Sequence, residues 1–162
     1  MKRVLFVCTG NICRSPTAEG VFRKLVTSAG LEGHIATDSA GTVDYHVGDA
    51  PDLRMQQAAR VRGYDLSRLR ARRVNGDDFQ RFDLIVAMDR SHREILARMA
   101  PAGTAHKVRM MMEFAQRASH DEVPDPYYGG PEGFELVLDL LEDAAEGLLG
   151  LFRGEIDAEA RR

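Results

Sequence analysis

The fold is decided by the stretch VLFVCTGNICRSP, which runs from Val4 to Pro16. Its first four residues form a continuous apolar run, which is typical of a strand buried on both faces of a parallel sheet. Ser15 is a good helix N-cap, and Pro16 suits the first helical position because proline has no N–H group to leave unpaired. The stretch therefore predicts a strand, a short loop and a helix in immediate succession.

The loop between the predicted strand and helix has the features of an oxyanion site. Its backbone N–H groups can point inward, and the amino end of the following helix adds partial positive charge. Cys8 stands at the start of this loop, where a positive field favours the thiolate over the thiol. Arg14 closes the loop, and the planar arginine fork can bond two oxygens of a phosphoryl group at once. We interpret the loop as a phosphate cradle with a sulfur nucleophile in its floor.

Two other kinds of phosphate-binding loop do not fit these residues. A nucleotide-binding loop needs a lysine and then serine or threonine after its second glycine, and this loop has no lysine. A dinucleotide fingerprint needs three spaced glycines, whereas only Gly10 is present here. Asn11 has a structural interpretation, because asparagine tolerates the positive φ of a tight anion cup better than most residues do.

Beyond this loop the chain alternates predicted strands and helices. Strands are predicted near residues 4–7, 34–37, 82–88 and 107–110, and helices near residues 15–29, 53–61, 89–99 and 134–149. The alternation predicts an α/β fold, in which an open four-stranded parallel sheet carries helices on both faces and the phosphate loop follows the first strand. The polar segment 38–42 is predicted to be a loop. Sites in such sheets lie beyond the carboxyl ends of the strands, where both Cys8 and Ser39 are expected. Residues 1–152 are expected to form a single domain, and the polar tail 153–162 is expected to fray.

Composition and charge exclude several classes of protein. With 44% hydrophobic and 29% charged residues over 162 positions, the chain has the composition of an ordinary globular domain. No apolar run approaches the roughly 20 residues that cross a bilayer, and the four-residue strand after Arg3 is too short for a signal-peptide core. A cytoplasmic protein is therefore expected, with a monomer as the default. A net charge of −3 provides no overall field for nucleic acid or an anionic membrane.

Three other groups of residues have structural interpretations. The arginine-rich segment 60–73 is interpreted as a solvated basic face rather than a nucleic-acid site, because stacking aromatics do not alternate with its arginines. The histidines at positions 34, 46, 92, 106 and 120 lack the spacing of metal ligands, so no metal or other cofactor is expected. The two cysteines, Cys8 and Cys13, both fall in the loop, which argues against a disulfide scaffold.

The loop from Cys8 to Arg14, with its glycine–asparagine filling and the following Ser15-Pro16, strongly resembles that of the low-molecular-weight protein tyrosine phosphatases. The resemblance covers nearly the whole chain, roughly Lys2 to Phe152. It includes three further motifs: Asp38-Ser39-Ala40-Gly41-Thr42, Met88-Asp89 and Asp125-Pro126-Tyr127-Tyr128. A cysteine, five residues and an arginine would be weakly specific alone, but this combination is highly specific.

The resemblance implies a metal-independent hydrolase that removes phosphate from tyrosine through a phosphocysteine intermediate and also cleaves small aryl phosphates. Cys8 would be the nucleophile, Arg14 the phosphoryl clamp, and Asp125 first the general acid and then the base. The other implied substrate-binding residues are Thr9, Gly10, Asn11, Ile12, Cys13 and Ser15 in the loop and Tyr45, Tyr127 and Tyr128 as aromatic walls. Ser39 would support Asn11 from behind the loop.

The implied partners are phosphotyrosine proteins, with a bacterial-type tyrosine kinase as one candidate, and phosphate or other oxyanions in the loop. A redox switch is a further hypothesis, because Cys13 would capture an oxidised Cys8 as a disulfide and so protect it from irreversible oxidation. One position departs from the family pattern: Leu69 stands where family members commonly carry a histidine that supports the phosphate loop. How Asn11 and Ser39 are braced is therefore open at this point.

The residues disfavour three alternatives to a tyrosine phosphatase. Arsenate reductases share the fold and a similar loop but use additional cysteines near the middle of the chain, which this sequence lacks. Protein arginine phosphatases typically have threonine before the second loop cysteine. This chain has Ile12 at that position, which favours phosphotyrosine. An anion-binding module that has lost catalysis is disfavoured because Cys8, Arg14 and Asp125 are all present.

Overall fold

A computed structural model describes residues 1–162, in which four strands alternate with helices. The strands are β1 (Lys2–Cys8), β2 (Ile35–Gly41), β3 (Leu84–Ala87) and β4 (Val108–Met110). The α-helices are α1 (Arg14–Ser28), α2 (Leu53–Val61), α3 (Asp78–Arg81), α4 (Arg90–Met99) and α5 (Pro131–Ala160). Two short 3₁₀ turns, Ala105–Lys107 and Met111–Phe114, flank β4. No helix combines the length and apolar character that crossing a membrane requires.

The strands form one parallel sheet in the order β2-β1-β3-β4. The central strand β1 is buried on both faces, and its alternate side chains enter two separate cores. Val4 and Phe6 pack in the larger core with α1, α2 and α5, whereas Leu5 and Val7 pack in the smaller core with α3 and α4. The predicted open four-stranded parallel sheet with helices on both faces is therefore confirmed.

Strand β2 is longer than its prediction and carries polar residues to the edge of the candidate site. Its register pairs Cys8 with Gly41, so the carboxyl ends of β1 and β2 lie side by side. Residues 38–41 belong to this strand and not to a loop, because they pair with residues 5–8 of β1. β2 is an edge strand of the sheet, and on its outer side only Gly41 forms a bridge, with Arg73. Its polar side chains can therefore find partners outside the sheet. The carboxylate of Asp38 meets the guanidinium of Arg72 at 3.0 Å, and Ser39 is held next to the loop.

The start of α1 also differs from its prediction. The helix begins at Arg14, and Cys13 occupies the cap position without a side-chain hydrogen bond. Ser15 is not the cap, because it lies inside the helix and its hydroxyl meets Cys8 Sγ at 2.9 Å. The first N–H groups of α1 are therefore not capped by a side chain and stay available to a ligand.

The carboxyl-terminal segment is helical where fraying was expected. Helix α5 continues to Ala160, well beyond the predicted start of the tail at residue 153. Lys2 Nζ, on β1, binds Glu159 Oε1 at 2.8 Å and Glu155 Oε2 at 3.4 Å. Because these glutamates are four positions apart, one helical turn presents both of them to the same lysine. A contact between Lys2 and these two glutamates is not visible in a local polar pattern.

The packing of α5 against the 3₁₀ turn Met111–Phe114 depends on Gly147. A Cβ atom at this position would stand 1.9 Å from the carbonyl oxygen of Phe114, whereas a Cβ at Gly150 of the same helix would meet nothing within 4 Å. We expect Gly147→Ala to lower the free energy of unfolding by about 1–3 kcal/mol, since backbone must move to relieve the clash. Gly150→Ala is the matched control and is expected to raise stability by about 0.5–1 kcal/mol, because alanine favours the helix. Urea unfolding followed by circular dichroism measures both, and equal stabilities of the two variants would contradict the expectation.

Candidate active site

The loop between β1 and α1 leaves its backbone N–H groups without partners in the protein. The carbonyls at its start are held from outside: Cys8 O and Thr9 O accept from the N–H groups of Thr42 and Val43 at 2.9 and 3.1 Å. The N–H groups from Thr9 to Ser15, in contrast, donate to no other group of the chain. Unpaired amides gathered at the amino end of a helix form an arrangement that binds oxyanions.

Two backbone positions shape this loop. Asn11 has a φ of 59°, and it is the one non-glycine residue with a positive φ, in agreement with its interpretation from the sequence. Gly41 lies directly under the loop, because a Cβ atom there would stand 2.5 Å from the carbonyl oxygen of Thr9. The end of β2 therefore supports the loop at van der Waals distance, and only glycine leaves room for it.

A chain of hydrogen bonds leads from behind the loop to the sulfur of Cys8. Asn11 Nδ2 donates to Ser39 Oγ at 3.0 Å and to Ser15 Oγ at 2.8 Å. The Ser15 hydroxyl keeps one hydrogen, which can go to Cys8 Sγ at 2.9 Å or to the carbonyl oxygen of Ala40 at 3.3 Å. A thiolate at Cys8 is the stronger acceptor of the two, so the serine hydroxyl stabilises negative charge on the sulfur.

Glu19 anchors the other end of this chain. Ser39 Oγ donates to Glu19 Oε1 at 2.7 Å, and the Arg23 guanidinium binds the second carboxylate oxygen. Burial raises the pKa of Glu19, while Ser39 and Arg23 act in the opposite direction by favouring the ionised form. Leu69, at the place of the family's supporting histidine, packs against the hydrophobic core. The brace that the sequence left open is therefore supplied by Glu19, one helical turn after Ser15.

Arg14 is held in one orientation beside the loop. Its side chain is only 4% exposed, and Nη1 donates to Asp89 Oδ2 at 2.8 Å and to the carbonyl oxygen of Val123 at 3.0 Å. Nη2 stands 3.7 Å from Asp125 Oδ2. Both hydrogen bonds come from Nη1, so the hydrogens of Nη2 and Nε remain for an anion in the loop.

Asp89 combines two contacts at the start of α4. As the N-cap, its Oδ1 accepts from the backbone N–H of His92 at 3.2 Å, while its Oδ2 binds Arg14. Burial would raise the pKa of Asp89, but hydrogen bonds from Ser91 and Arg14 and the nearby His92 together lower it below its usual value. Asp89 is therefore ionised at neutral pH and is a fixed counter-charge for Arg14.

Asp125 and three tyrosines form the mouth of the cleft. The Asp125 side chain is 49% exposed, and its Oδ1 accepts from the backbone N–H of Tyr127 at 3.0 Å. The rings of Tyr127 and Tyr128 meet edge to face with their centroids 4.9 Å apart, and Tyr45 is the third exposed ring. Arg54 lies over the Tyr127 ring at 5.3 Å and donates to its carbonyl oxygen at 3.0 Å, which steadies that wall. Exposed rings around a polar floor suit a flat aromatic ligand.

Most of the residues predicted from the sequence line this cleft. Those that do are Cys8, Thr9, Gly10, Ile12, Cys13, Arg14, Tyr45, Asp125, Tyr127 and Tyr128. Val43 and His46 also line it, although neither was predicted as a site residue. The side chains of Asn11, Ser15 and Ser39 do not line the cleft; hydrogen bonds join them to one another and to Cys8 behind the loop. Both cysteines are free, and burial together with Asp52 raises the pKa of Cys13 to about 12, so its thiol is protonated at neutral pH.

Three groups around the site, the buried Glu19 and His92 and the half-buried Asp89, were missed or only partly interpreted from the sequence. Glu19 had a local signal, since a glutamate four positions after Ser15 on an apolar helix face has to find a partner. Asp89 was noted as part of the Met88-Asp89 motif, and its contact with Arg14 depends on the pairing of β1 with β3. His92 had no signal as a site residue, because its partner at the cleft, Thr9, lies 83 positions away in the chain.

Comparison with known proteins defines the class to which the chain belongs. A family model described as low molecular weight phosphotyrosine protein phosphatase matches residues 3–161. The chain therefore belongs to this family, which confirms the resemblance noted from its motifs.

Individual relatives extend this finding over the whole length of the chain. The low molecular weight protein-tyrosine-phosphatase of Streptomyces coelicolor is 45% identical over 161 residues, which cover 98% of each chain. A crystal structure of a protein tyrosine phosphatase from Entamoeba histolytica, with Hepes in the active site, is 42% identical with a TM-score of 0.92, and the match covers 96% of this chain and 99% of that one. Vibrio vulnificus Wzb, in complex with benzylphosphonate, is 27% identical with a TM-score of 0.79, over 91% of this chain and 96% of that one.

Proposed function

We propose that this chain hydrolyses phosphotyrosine in proteins, and also small aryl phosphates, through a phosphocysteine intermediate. The observation that supports it most directly is the set of unpaired N–H groups from Thr9 to Ser15, with the Cys8 sulfur at their start and the Arg14 fork beside them. Membership of the phosphatase family supports the same reaction. So does the benzylphosphonate complex of the related Wzb, since that ligand joins an aromatic ring to a phosphorus oxyanion.

The first step transfers the phosphoryl group to sulfur. Cys8 Sγ attacks phosphorus, and an S–P bond forms while the bond between phosphorus and the aryl oxygen breaks. Asp125 gives its proton to the departing phenolate oxygen. The loop amides and the Arg14 guanidinium bind the phosphoryl oxygens, which carry the growing charge in the transition state.

The second step releases inorganic phosphate. A water molecule attacks the phosphorus of phosphocysteine and gives one proton to Asp125, which is ionised after the first step. The S–P bond breaks, and the hydroxyl of Ser15, 2.9 Å from Cys8 Sγ, stabilises the departing thiolate. Asp125 is protonated again at the end, so one carboxyl group serves both steps and the cycle closes.

The residues at the mouth of the cleft favour a phosphoester whose leaving group is aromatic. Tyr45, Tyr127 and Tyr128 offer ring faces and edges on which a phenyl ring can pack while its phosphate reaches the loop. A phosphoserine side chain has no ring to fill this space. The apolar side chain of Ile12, also in the lining, favours a phenyl ring over the guanidinium of phosphoarginine.

Asp125→Asn tests this function on a phosphotyrosine peptide. We expect kcat to fall by about 10²–10³-fold, because asparagine cannot protonate the phenolate or take a proton from water. The loss is expected to be smaller on para-nitrophenyl phosphate, since nitrophenolate leaves more easily without a proton. Stopped assays of released phosphate measure both substrates, with a phosphoarginine peptide for comparison.

Asp121→Asn is the matched control and is expected to keep wild-type turnover. Asp121 is an exposed aspartate four positions before Asp125, and its side chain binds Arg90. Equal kcat values for Asp125→Asn and the wild type on the phosphotyrosine peptide would overturn the role of Asp125. A preference for the phosphoarginine peptide would keep the cysteine chemistry and overturn the substrate class.

A further inference from the structure

The side chains of Thr9 and His92 form a hydrogen-bonded pair against the cleft, and neither side chain takes part in the steps described above. Thr9 directly follows the nucleophile, is exposed and lines the cleft. Its Oγ1 stands 2.8 Å from Nε2 of His92, which lies near the start of α4. The histidine is only 1% exposed, so its ring is fixed by packing while the threonine faces the ligand space.

The surroundings of His92 decide which ring nitrogen carries a hydrogen. Nδ1 faces the backbone N–H of Asp89 at 3.2 Å, and that N–H has no other acceptor. Nδ1 is therefore an acceptor, since a hydrogen there would oppose the amide hydrogen. Asp89 Oδ1, also 3.2 Å from Nδ1, already accepts from Ser91 Oγ and from the backbone of His92. Burial and the nearby charge of Arg14 lower the pKa of His92 to about 4, so the neutral ring carries its one hydrogen on Nε2.

It follows that Nε2–H donates to Thr9 Oγ1 and that the threonine hydroxyl keeps a hydrogen of its own. Thr9 makes no other side-chain hydrogen bond, so this hydrogen is directed to the cleft. We propose that the Thr9 hydroxyl is a substrate-binding group that donates a hydrogen bond to an oxygen of the bound phosphoester, and that His92 is the residue that positions it. The proposal rests on the phosphatase function above and adds to it a side-chain donor that stands next to the nucleophile.

Thr9→Val tests the binding role, because valine has the shape of threonine without its hydroxyl. We expect the dissociation constant of inorganic phosphate, measured by calorimetry, and the KM for para-nitrophenyl phosphate to rise about tenfold, the effect of one hydrogen bond to a charged oxygen. Thr9→Ser restores the hydroxyl and is expected to lie within about threefold of the wild type.

His92→Asn tests the positioning role. The asparagine Oδ1 can take over from Nδ1 as acceptor for the Asp89 amide, but the shorter side chain no longer reaches Thr9. We expect a loss in phosphate affinity of about threefold, as for a weakened rather than a deleted hydrogen bond. Because His92 acts through Thr9, the same change made in the Thr9→Val protein is expected to have no further effect on affinity.

The outcomes separate this role from a structural one and from the function itself. Wild-type phosphate affinity in Thr9→Val, or equal losses in Thr9→Ser and Thr9→Val, would overturn the binding role of the hydroxyl. Additive losses in the double variant would overturn positioning by His92. Phosphate binding needs no turnover, so an inactive wild type that binds phosphate would contradict the proposed reaction without touching the Thr9 measurement.

Discussion

Cys8→Ser is expected to abolish turnover of aryl phosphates, by about 10⁴-fold or more, while phosphate still binds. A serine hydroxyl is un-ionised at neutral pH and is a far weaker nucleophile than a thiolate. The new hydroxyl at position 8 can still hydrogen-bond to the hydroxyl of Ser15, so the local structure is expected to be retained. The loop amides and Arg14 are unchanged by the substitution, so the oxyanion site is retained. Turnover is measured with para-nitrophenyl phosphate, and binding of inorganic phosphate is measured by calorimetry.

Cys13→Ser is the matched control for this substitution. Cys13 belongs to the same loop, but only its backbone N–H is expected to meet the phosphate, so most of the turnover should remain. If Cys8→Ser kept more than about one hundredth of the wild-type rate, a different nucleophile would carry the reaction. If Cys13→Ser were the inactive variant, the roles of the two loop cysteines would have to be exchanged.

Arg14→Lys is expected to lower kcat by about 10³-fold with a smaller change in KM. A lysine carries the same positive charge, but concentrated on one ammonium group. It cannot bind Asp89, the carbonyl oxygen of Val123 and a phosphoryl oxygen at the same time, as the planar guanidinium can. The clamp acts mainly on the transition state, where charge spreads over the equatorial oxygens. Steady-state kinetics separates kcat from KM, and urea unfolding establishes that the variant is folded at the assay temperature.

Arg93→Lys, an exposed arginine on α4, is the control for exchanging arginine with lysine and is expected to keep the wild-type kcat. A kcat for Arg14→Lys within about tenfold of the wild type would show that positive charge suffices and that the bidentate geometry is unimportant.

Local patterns in the sequence predicted the parts of the molecule that depend on neighbouring residues. The run that ends at Cys8 and the proline that follows Ser15 place a strand, a loop and a helix in order, because apolar continuity and helix-start preferences act over a few positions. Helix α4 (Arg90–Met99) was predicted within a residue, with Asp89 or Ser91 as its cap and Pro101 beyond its end, and the structure selects Asp89. The positive φ of Asn11 was likewise expected from the residue type.

Errors in the prediction arose where a distant residue changes the local preference. The Ser15 hydroxyl is an N-cap by local rules, but the strand that precedes it brings Cys8 Sγ within 2.9 Å. The polar segment after residue 37 is a loop by composition, yet pairing with β1 and an ion pair with Arg72 make it a strand. The tail after residue 152 is polar, and in the structure it continues α5 to Ala160 with Glu155 and Glu159 bound to Lys2.

By itself, the sequence determined the α/β architecture, the loop between β1 and α1 and the residue types that such a loop needs for phosphorus chemistry. Only the tertiary structure decided how the loop is held, since Glu19 braces it through Ser39, and Asp89 orients Arg14. The same holds for the pair of Thr9 and His92, 83 positions apart. Strand and helix preferences arise from backbone sterics and side-chain periodicity within one element, whereas these contacts depend on the register of the sheet and the seating of α1 and α4 against it.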